Sequence, residues 1–401
     1  MTPGLTVGLA LLLAVPFAVP AAAQAPAAAT EPAVTLYGIV SAEPASVAGA
    51  SAADQGTPAA VASSRPSGRG EFVIAPMPMV NPTIENGLSL VTGYLYRLDA
   101  NDRETPPSAT GAGGFKTSNG SWAAAALQSL HLGHDRFRVL ALAAYSDINY
   151  KFYGIGQSSG ESGLSIELNQ VGPIGAFEGL LRVAPRWYVG ARYQFLQMTV
   201  SSSSIPIPDG PVIPAIDADL RTAALGPRLD YDSRDNTFYP RHGLQLKAIV
   251  SFYGRAVGGR RTYQAYQGWL NGYEQVAARH VLAWHMGACV VDGPAPFYDL
   301  CILGKNQDLR GYPIGQFRDR AMLASQVEWR SEIWWRFGAV AFAGAGEVAP
   351  DFGRFTWRDI LPGGGAGLRF TLAKRNHVNL RADYAWGRDS SALYIGVVEA
   401  F

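Results

Sequence analysis

From Phe72 to Phe401, apolar and polar residues alternate along the chain. Between His377 and Trp386, Val378, Leu380, Ala382, Tyr384 and Trp386 share one face, and Asn379, Arg381 and Asp383 share the other. Leu323, Ser325, Val327, Trp329 and Ile333 oppose Gln326, Glu328, Arg330 and Glu332. Leu244, Leu246, Ala248, Val250 and Phe252 oppose Gln245 and Lys247, while Trp187, Val189, Ala191, Tyr193 and Phe195 oppose Arg192 and Gln194. A period of two means strands, because successive side chains of a strand point to opposite faces. A soluble sandwich has the same period, so alternation alone does not separate it from a membrane barrel.

Three further features favour the barrel. The strands run to about ten residues or more, as a tilted membrane strand needs. Trp and Tyr sit at strand ends, at Trp187-Tyr188, Trp334-Trp335 and Trp386, where the aromatic girdles of such barrels lie. Short connections alternate with long ones. The short ones fall near His134-Asp135, Arg186, Arg234 to Arg241, Ala277-Ala278, Phe337 and Lys374 to Asn376. The long ones run Asp99 to Asn119, Asp147 to Ser162, Ser201 to Ala218, Asp292 to Arg320 and Ala349 to Leu361. The pattern predicts strands near 88–98, 120–131, 136–146, 163–184, 187–200, 219–232, 243–253, 262–275, 280–291, 321–335, 338–348, 362–372, 377–387 and 392–401. The 163–184 stretch is long enough to hold a hairpin around Val171 to Gly175. Phe72 to Val80 is extended, but Pro76 and Pro78 suit only an edge strand or no strand. An even strand number with both termini periplasmic gives an all-β, transmembrane antiparallel barrel of 14–16 strands.

Composition agrees. Only 16% of the 401 residues are charged and the net charge is +1, against about 25% charged residues in a soluble domain. The balance excludes a strong electrostatic nucleic-acid binder, and two Cys exclude a disulfide-built scaffold. Beyond residue 25 no apolar run is long enough for a transmembrane helix. Leu5 to Ala23 is an apolar core ending in small residues, with Ala23-Gln24-Ala25 as an A-x-A site. Residues 1–25 therefore read as a signal peptide, although no Lys or Arg precedes the apolar core. Residues 26–70 are rich in Ala, Pro and Ser and read as a disordered arm. Residues 71–401 form the barrel domain.

Several motifs now combine. Leu309-Arg310-Gly311-Tyr312 lies in the longest late loop, with five strand segments after it. Upstream is the run from Gly226 to Gly243, with Asp232-Ser233-Arg234-Asp235 and Tyr239-Pro240 at its turn. Downstream come Gly363 to Phe370, Asn379 to Tyr384, and a terminal Phe401. Together these resemble the BamA/TamA-type outer-membrane superfamily, the bacterial surface antigen barrels. The likeness covers roughly Phe72 to Phe401 and is strongest after Leu220. It implies a sixteen-stranded barrel in the bacterial outer membrane whose Arg-Gly-aromatic loop folds back into the lumen. Members insert barrel proteins, translocate proteins, or carry a fused enzyme. Residues 26–70 cannot supply a POTRA module, and no patatin-like lipase precedes the barrel, so the chain resembles a POTRA-less branch. The resemblance further implies that Arg310 meets a carboxylate at Glu328. The family's second carboxylate, from an F-x-D-x-G stretch, falls on Gly344 in Phe342-Ala343-Gly344-Ala345-Gly346. Asp383 is then the candidate substitute across the lumen. Leu393, Ile395, Val397 and Phe401 share a face of the last strand, interrupted by Glu399, and resemble the sorting signal read by the barrel-assembly machinery.

The remaining candidates carry less. Asp232, Arg234, Asp235 and Arg241 read as turn architecture rather than a catalytic pair. Gly156 to Gly160 matches G-x-S-x-G around Ser158, yet a polar loop leading into a strand lacks the strand–turn–helix elbow. His131 and His134 have no third metal ligand nearby. Cys289 and Cys301 flank the root of the Arg310 loop, as a bridge or as two free thiols. No catalytic residue, metal or cofactor is expected. The expected partners are outer-membrane lipid, the assembly machinery during biogenesis, and a secreted or outer-membrane protein client. Two functions stay open: assisting protein or lipid insertion or translocation, or a passive pore or structural surface protein.

Overall fold

The computed structural model describes residues 70–79, 85–99, 102, 105–202, 216–236, 238–305, 308–373 and 377–401. The expected signal peptide and nearly all of the expected arm lie outside the described residues.

Sixteen strands form one sheet in which chain neighbours pair antiparallel. They are β1 Gly70–Met79, β2 Gly87–Tyr96, β3 Ser108–Thr117, β4 Trp122–Leu132, β5 Phe137–Phe152, β6 Ile166–Ala184, β7 Trp187–Ser202 and β8 Ile216–Asp232. Then come β9 Gly243–Tyr253, β10 Tyr263–Ala277, β11 His280–Asp292, β14 Ala321–Trp334, β15 Phe337–Ala349, β16 Leu361–Ala373, β17 Val378–Gly387 and β18 Ser390–Val397. Between β11 and β14, the short β12 Cys301–Ile302 pairs with β13 Arg318–Asp319. Among the described residues no helix is long and apolar enough to cross a membrane. Crossing is left to the strands.

The burial pattern is inverted relative to a soluble protein. Along β14, outward Leu323, Val327 and Trp329 are exposed by 43%, 48% and 43%, whereas inward Gln326, Glu328 and Arg330 are exposed by 1% or less. The same holds on β17, where Tyr384 and Trp386 are exposed and Arg381 and Asp383 are buried. A soluble sheet would bury the aromatics and solvate the charges. This one presents its apolar face to lipid and keeps polar side chains inside, as a membrane barrel does. The fold is a transmembrane antiparallel β-barrel, with β1 and β18 as the end strands of its sheet.

Two strands escape the sequence pattern. β3 lies inside the expected Asp99 to Asn119 loop. Its Gly111, Gly113 and Gly114 give almost no alternation, so its strand character comes from ladders to β2 and β4. β1 pairs with β2 along its whole length and is an end strand, the place where Pro76 and Pro78 are tolerated. The 163–184 stretch holds no hairpin. β6 is one strand of 19 residues, and Gly172 and Pro173 simply skip the ladder to β7 while staying opposite β5. With these changes, the C-terminal end of β2 and the N-terminal end of β3 fall at the short-turn end, as do the N-terminal end of β1 and the C-terminal end of β18.

Candidate functional site

The 293–320 connection does not stand out from the barrel; it turns in. Cys301 is disulfide-bonded to Cys289 on β11, with 5.7 Å between the Cα atoms. The β12–β13 pair closes the neck of the loop. Beyond it, Leu303, Leu309, Tyr312 and Phe317 pack with Met322, Ala324, Val348 and Leu361 of the inner wall. The wall is carved by glycine to admit the loop. A Cβ at Gly363 would lie 2.6 Å from the Arg310 carbonyl oxygen, and one at Gly346 would lie 2.7 Å from Leu303 Cδ1.

The tip is fixed atom by atom. Gly311 has φ 115°, and a Cβ there would meet the Trp386 backbone at 2.7 Å. Only glycine combines that conformation with that approach. Its N–H donates to Tyr394 Oη at 2.9 Å, and its carbonyl accepts from Ser390 Oγ at 2.6 Å. Tyr312 Oη donates to the Pro362 carbonyl at 2.6 Å and accepts from the Arg388 N–H at 2.8 Å.

Arg310 is fully buried. Its Nη2 meets Glu328 Oε2 at 2.5 Å, and its Nη1 meets Asp383 Oδ2 at 2.6 Å. Nε donates to Gln326 Oε1 at 3.2 Å, and Cζ sits 3.5 Å from the centre of the Phe342 ring. Such a desolvated guanidinium requires this saturation by carboxylates and a π-face. Gly344 explains why the acceptor set differs from the family pattern. A Cβ at 344 would overlap the Ser325 carbonyl and come within 2.6 Å of Gln326 Cγ and 3.0 Å of Leu309 Cδ1. Gln326 and Leu309 fill the place that a side chain at 344 would need, and Gln326 and Asp383 supply acceptors instead.

The clamp is part of a larger network. Glu328 Oε1 also accepts from Arg330 Nε at 2.7 Å. Asp383 accepts from Arg369, and from Arg381 at 3.1 Å. Arg369 Nε reaches Glu399 Oε2 at 2.7 Å, and Asn379 donates to Glu399 Oε1 at 2.9 Å. Sequence reading missed Gln326, Arg369, Arg381 and the inward role of Glu399. The first three were legible as inward positions of alternating strands, but which of them met required the fold.

The end of the chain departs from expectation. β18 stops at Val397, and Val398 has φ 73°. That turn swings Glu399 and Phe401 inward, because Arg369 and Asn379 offer Glu399 partners that lipid lacks. Phe401 therefore does not lie on the apolar face of the last strand. Its ring is 5.4 Å from the His285 ring and 5.4 Å from Arg330 Cζ, and its carbonyl oxygen accepts from Arg330 Nη2 at 3.0 Å.

The other candidates separate. In the 233–242 turn, Asp232 is bidentate to Arg234, and Asp235 Oδ1 accepts the N–H groups of Arg241 and His242. Arg241 pairs with Glu332. These contacts lock a turn. Ser158 lies in a short helix, α1 Gln157–Ser162, rather than before a strand. The helix follows a coil, so no nucleophile elbow forms, and α1 instead meets the inward loop through Gln316 Nε2 on the Gly160 carbonyl and the β17–β18 turn through Arg388 on Glu161. His131 and His134 turn to different carboxylates, Asp135 and Asp102. Among the described residues no group of three potential metal ligands occurs.

The Omp85 superfamily domain matches residues 109–392. The chain belongs to the Omp85 superfamily. Its place is the bacterial outer membrane. Among solved structures, this Omp85 chain resembles BamA from Haemophilus ducreyi lacking POTRA domains 1–3, at 14% identity and a TM-score of 0.52, covering 84% of this chain and 70% of that one. It also resembles CdiB from Acinetobacter baumannii (11% identity, TM-score 0.53, 82% of this chain and 59% of that one). CdiB from Escherichia coli is similar at 12% identity and a TM-score of 0.56, over 83% of this chain and 63% of that one. The chain thus spans under two thirds of either CdiB. No curated protein matches.

Proposed function

We propose that this barrel assists the insertion of proteins into the outer membrane, or their translocation across it, by coupled release of the Arg310 loop and the last strand. One observation carries this reading. The carboxylate that holds the loop, Glu328, also holds Arg330, which grips the tail of the last strand at Phe401. Asp383 and Arg369 make the parallel link from Arg310 to Glu399. A client strand that draws β18 or its tail from the wall would unbalance the charges around Arg310. Conversely, a displaced loop would weaken the tail. Sharing of partners is the physical basis for such coupling. Family membership and the fold shared with BamA and CdiB support the same class of work.

The buried ion-pair network and the inward loop argue against a passive solute pore. Two measurements test the choice. In cells lacking the protein, specific surface or secreted proteins should fall in abundance. Wild type should restore them, and an Arg310→Ala variant that still inserts should not. In planar bilayers the purified wild type should show no steady ohmic step. An unchanged surface proteome beside a stable conductance would support the pore and reject the assembly role.

A further inference from the structure

Arg318 lies on β13, at the neck of the inward loop, and is only 2% exposed. It is nearly as enclosed as Arg310, yet its partners differ. Arg310 meets two carboxylates. Arg318 Nε and Nη2 share one acceptor, the Gly315 carbonyl, at 3.2 and 3.1 Å. Its Nη1 is buried and has no hydrogen-bond partner among the described residues. Among them Tyr150 is the ionisable group that acts on its charge, and no carboxylate pairs with it.

The backbone fixes this position. The Arg318 carbonyl accepts from the Gly156 N–H at 2.8 Å, and a Cβ at Gly315 would lie 2.5 Å from Nη2. The side chain is thereby held against aromatic rings, with Cζ 5.0 Å from the centre of Phe152 and 6.0 Å from that of Phe297. Both rings pack with Ile148, Tyr150, Leu168 and Val200 in an apolar cluster inside the barrel. Tyr150 stands two residues before Phe152 on the same inward face of β5. Its Oη is also buried without a hydrogen-bond partner among the described residues.

A phenol O–H and a guanidinium N–H are both donors, and arginine accepts nothing. The π-faces orient the guanidinium and attract it, but they carry no counter-charge. A cation in apolar surroundings is costly unless it is paired, and a buried donor left unmatched marks a place for an ion or a water. Water would satisfy the donors and leave the charge. An anion satisfies both. One unit of charge is uncompensated and both donors are enclosed, so the fitting anion is small and singly charged.

We propose that Arg318 and Tyr150 form a seat for a small monovalent anion of chloride size at the neck of the inward loop. Arg318 supplies the charge and the Nη1 donor from the loop, and Tyr150 supplies its hydroxyl from β5. The anion ties the root of the loop to the barrel wall. The site is independent of the client-handling role.

Urea unfolding of the full chain in detergent, as sodium chloride replaces sodium gluconate at constant sodium, tests this. Gluconate is too bulky for an enclosed seat. The wild-type midpoint should rise with chloride and then level off, since a ligand bound by the folded state alone stabilises it by mass action. Tyr150→Phe should need about fivefold more chloride for half of the rise, the factor matching one hydrogen bond of about 1 kcal/mol. Arg318→Gln should abolish the rise. Arg354→Gln with Arg358→Gln, on the exposed 350–360 connection, should keep it. Heat-dependent gel migration confirms that each variant is folded. Crystals of the wild type grown in sodium bromide should show an anomalous peak beside Arg318 Nη1, a readout that needs no change at Arg318. A midpoint indifferent to the anion, the same rise in Arg318→Gln, or no bromide at Nη1 would overturn the proposal and leave a hydrated arginine stacked on two rings.

Discussion

Arg310 and Asp383 are 73 residues apart in sequence and 2.6 Å apart in the lumen. That contact joins a loop tip to the penultimate strand, and Glu328 completes it from β14. Both carboxylates and the guanidinium are fully buried. Removing one partner from such a group leaves an uncompensated charge and costs about 3–5 kcal/mol. Arg310→Ala and Glu328→Ala should each lower the urea midpoint of the detergent-folded barrel. The double variant should cost much less than the sum, and the 293–320 loop should become open to protease in all three. Additive, near-silent effects would place Arg310 in solvent.

Gly344 is a steric requirement of the same site. Gly344→Asp would place a side chain against the Ser325 carbonyl, Gln326 and Leu309. Overpacking of this kind costs about 1–3 kcal/mol. The variant should be less stable than wild type, even though it recreates the carboxylate found in relatives of the family. A gain in stability would mean that the loop is not seated against β15.

The Cys289–Cys301 bond restrains the neck of the inward loop. Closing a loop of this length is worth about 2–4 kcal/mol in the chain-entropy picture. Cys289→Ser with Cys301→Ser should leave the barrel heat-modifiable but raise protease cleavage within the loop. The same change should appear on reduction of the wild type and should be absent from the double variant under reductant.

Phe401 packs inside the folded barrel, so two effects of its removal can be told apart. Loss of the His285 and Arg330 contacts should modestly lower the stability of protein refolded in detergent. If the residue also serves as a signal to the assembly machinery, its deletion should reduce outer-membrane abundance in cells far more than that loss explains. Equal, small effects in both settings would restrict Phe401 to packing.

Asp135 supplies a pH test outside the strands. Burial by itself raises its carboxyl, but hydrogen bonds from His131, Arg138 and Tyr188, with the Arg138 charge, outweigh burial and hold it well below the usual carboxylate range. A folded value below the unfolded one stabilises the protein above about pH 4. The contribution is lost as pH falls through the folded value. Asp135→Asn should therefore be less stable than wild type at pH 7, and the gap in urea midpoint should narrow steadily below about pH 4. A gap independent of pH would contradict this.

Alternation, low charge and aromatic strand ends were enough to read an all-β membrane barrel, since period two and the lipid-facing apolar set are local properties of the chain. Glu328 and Asp383 could be read as inward from Val327, Trp329 and Tyr384 beside them. β3 could not be read, because glycine carries no facing preference and its strand state is imposed by β2 and β4. Nor could the turn at Val398, because sequence pattern continued the strand to Phe401, whereas buried partners for Glu399 drew the tail inward. Which inward charges meet depends on strand register and on how far the loop descends. Both are set by long-range ladders and by glycine-lined space in the wall, and neither leaves a local trace in the residues that end up in contact.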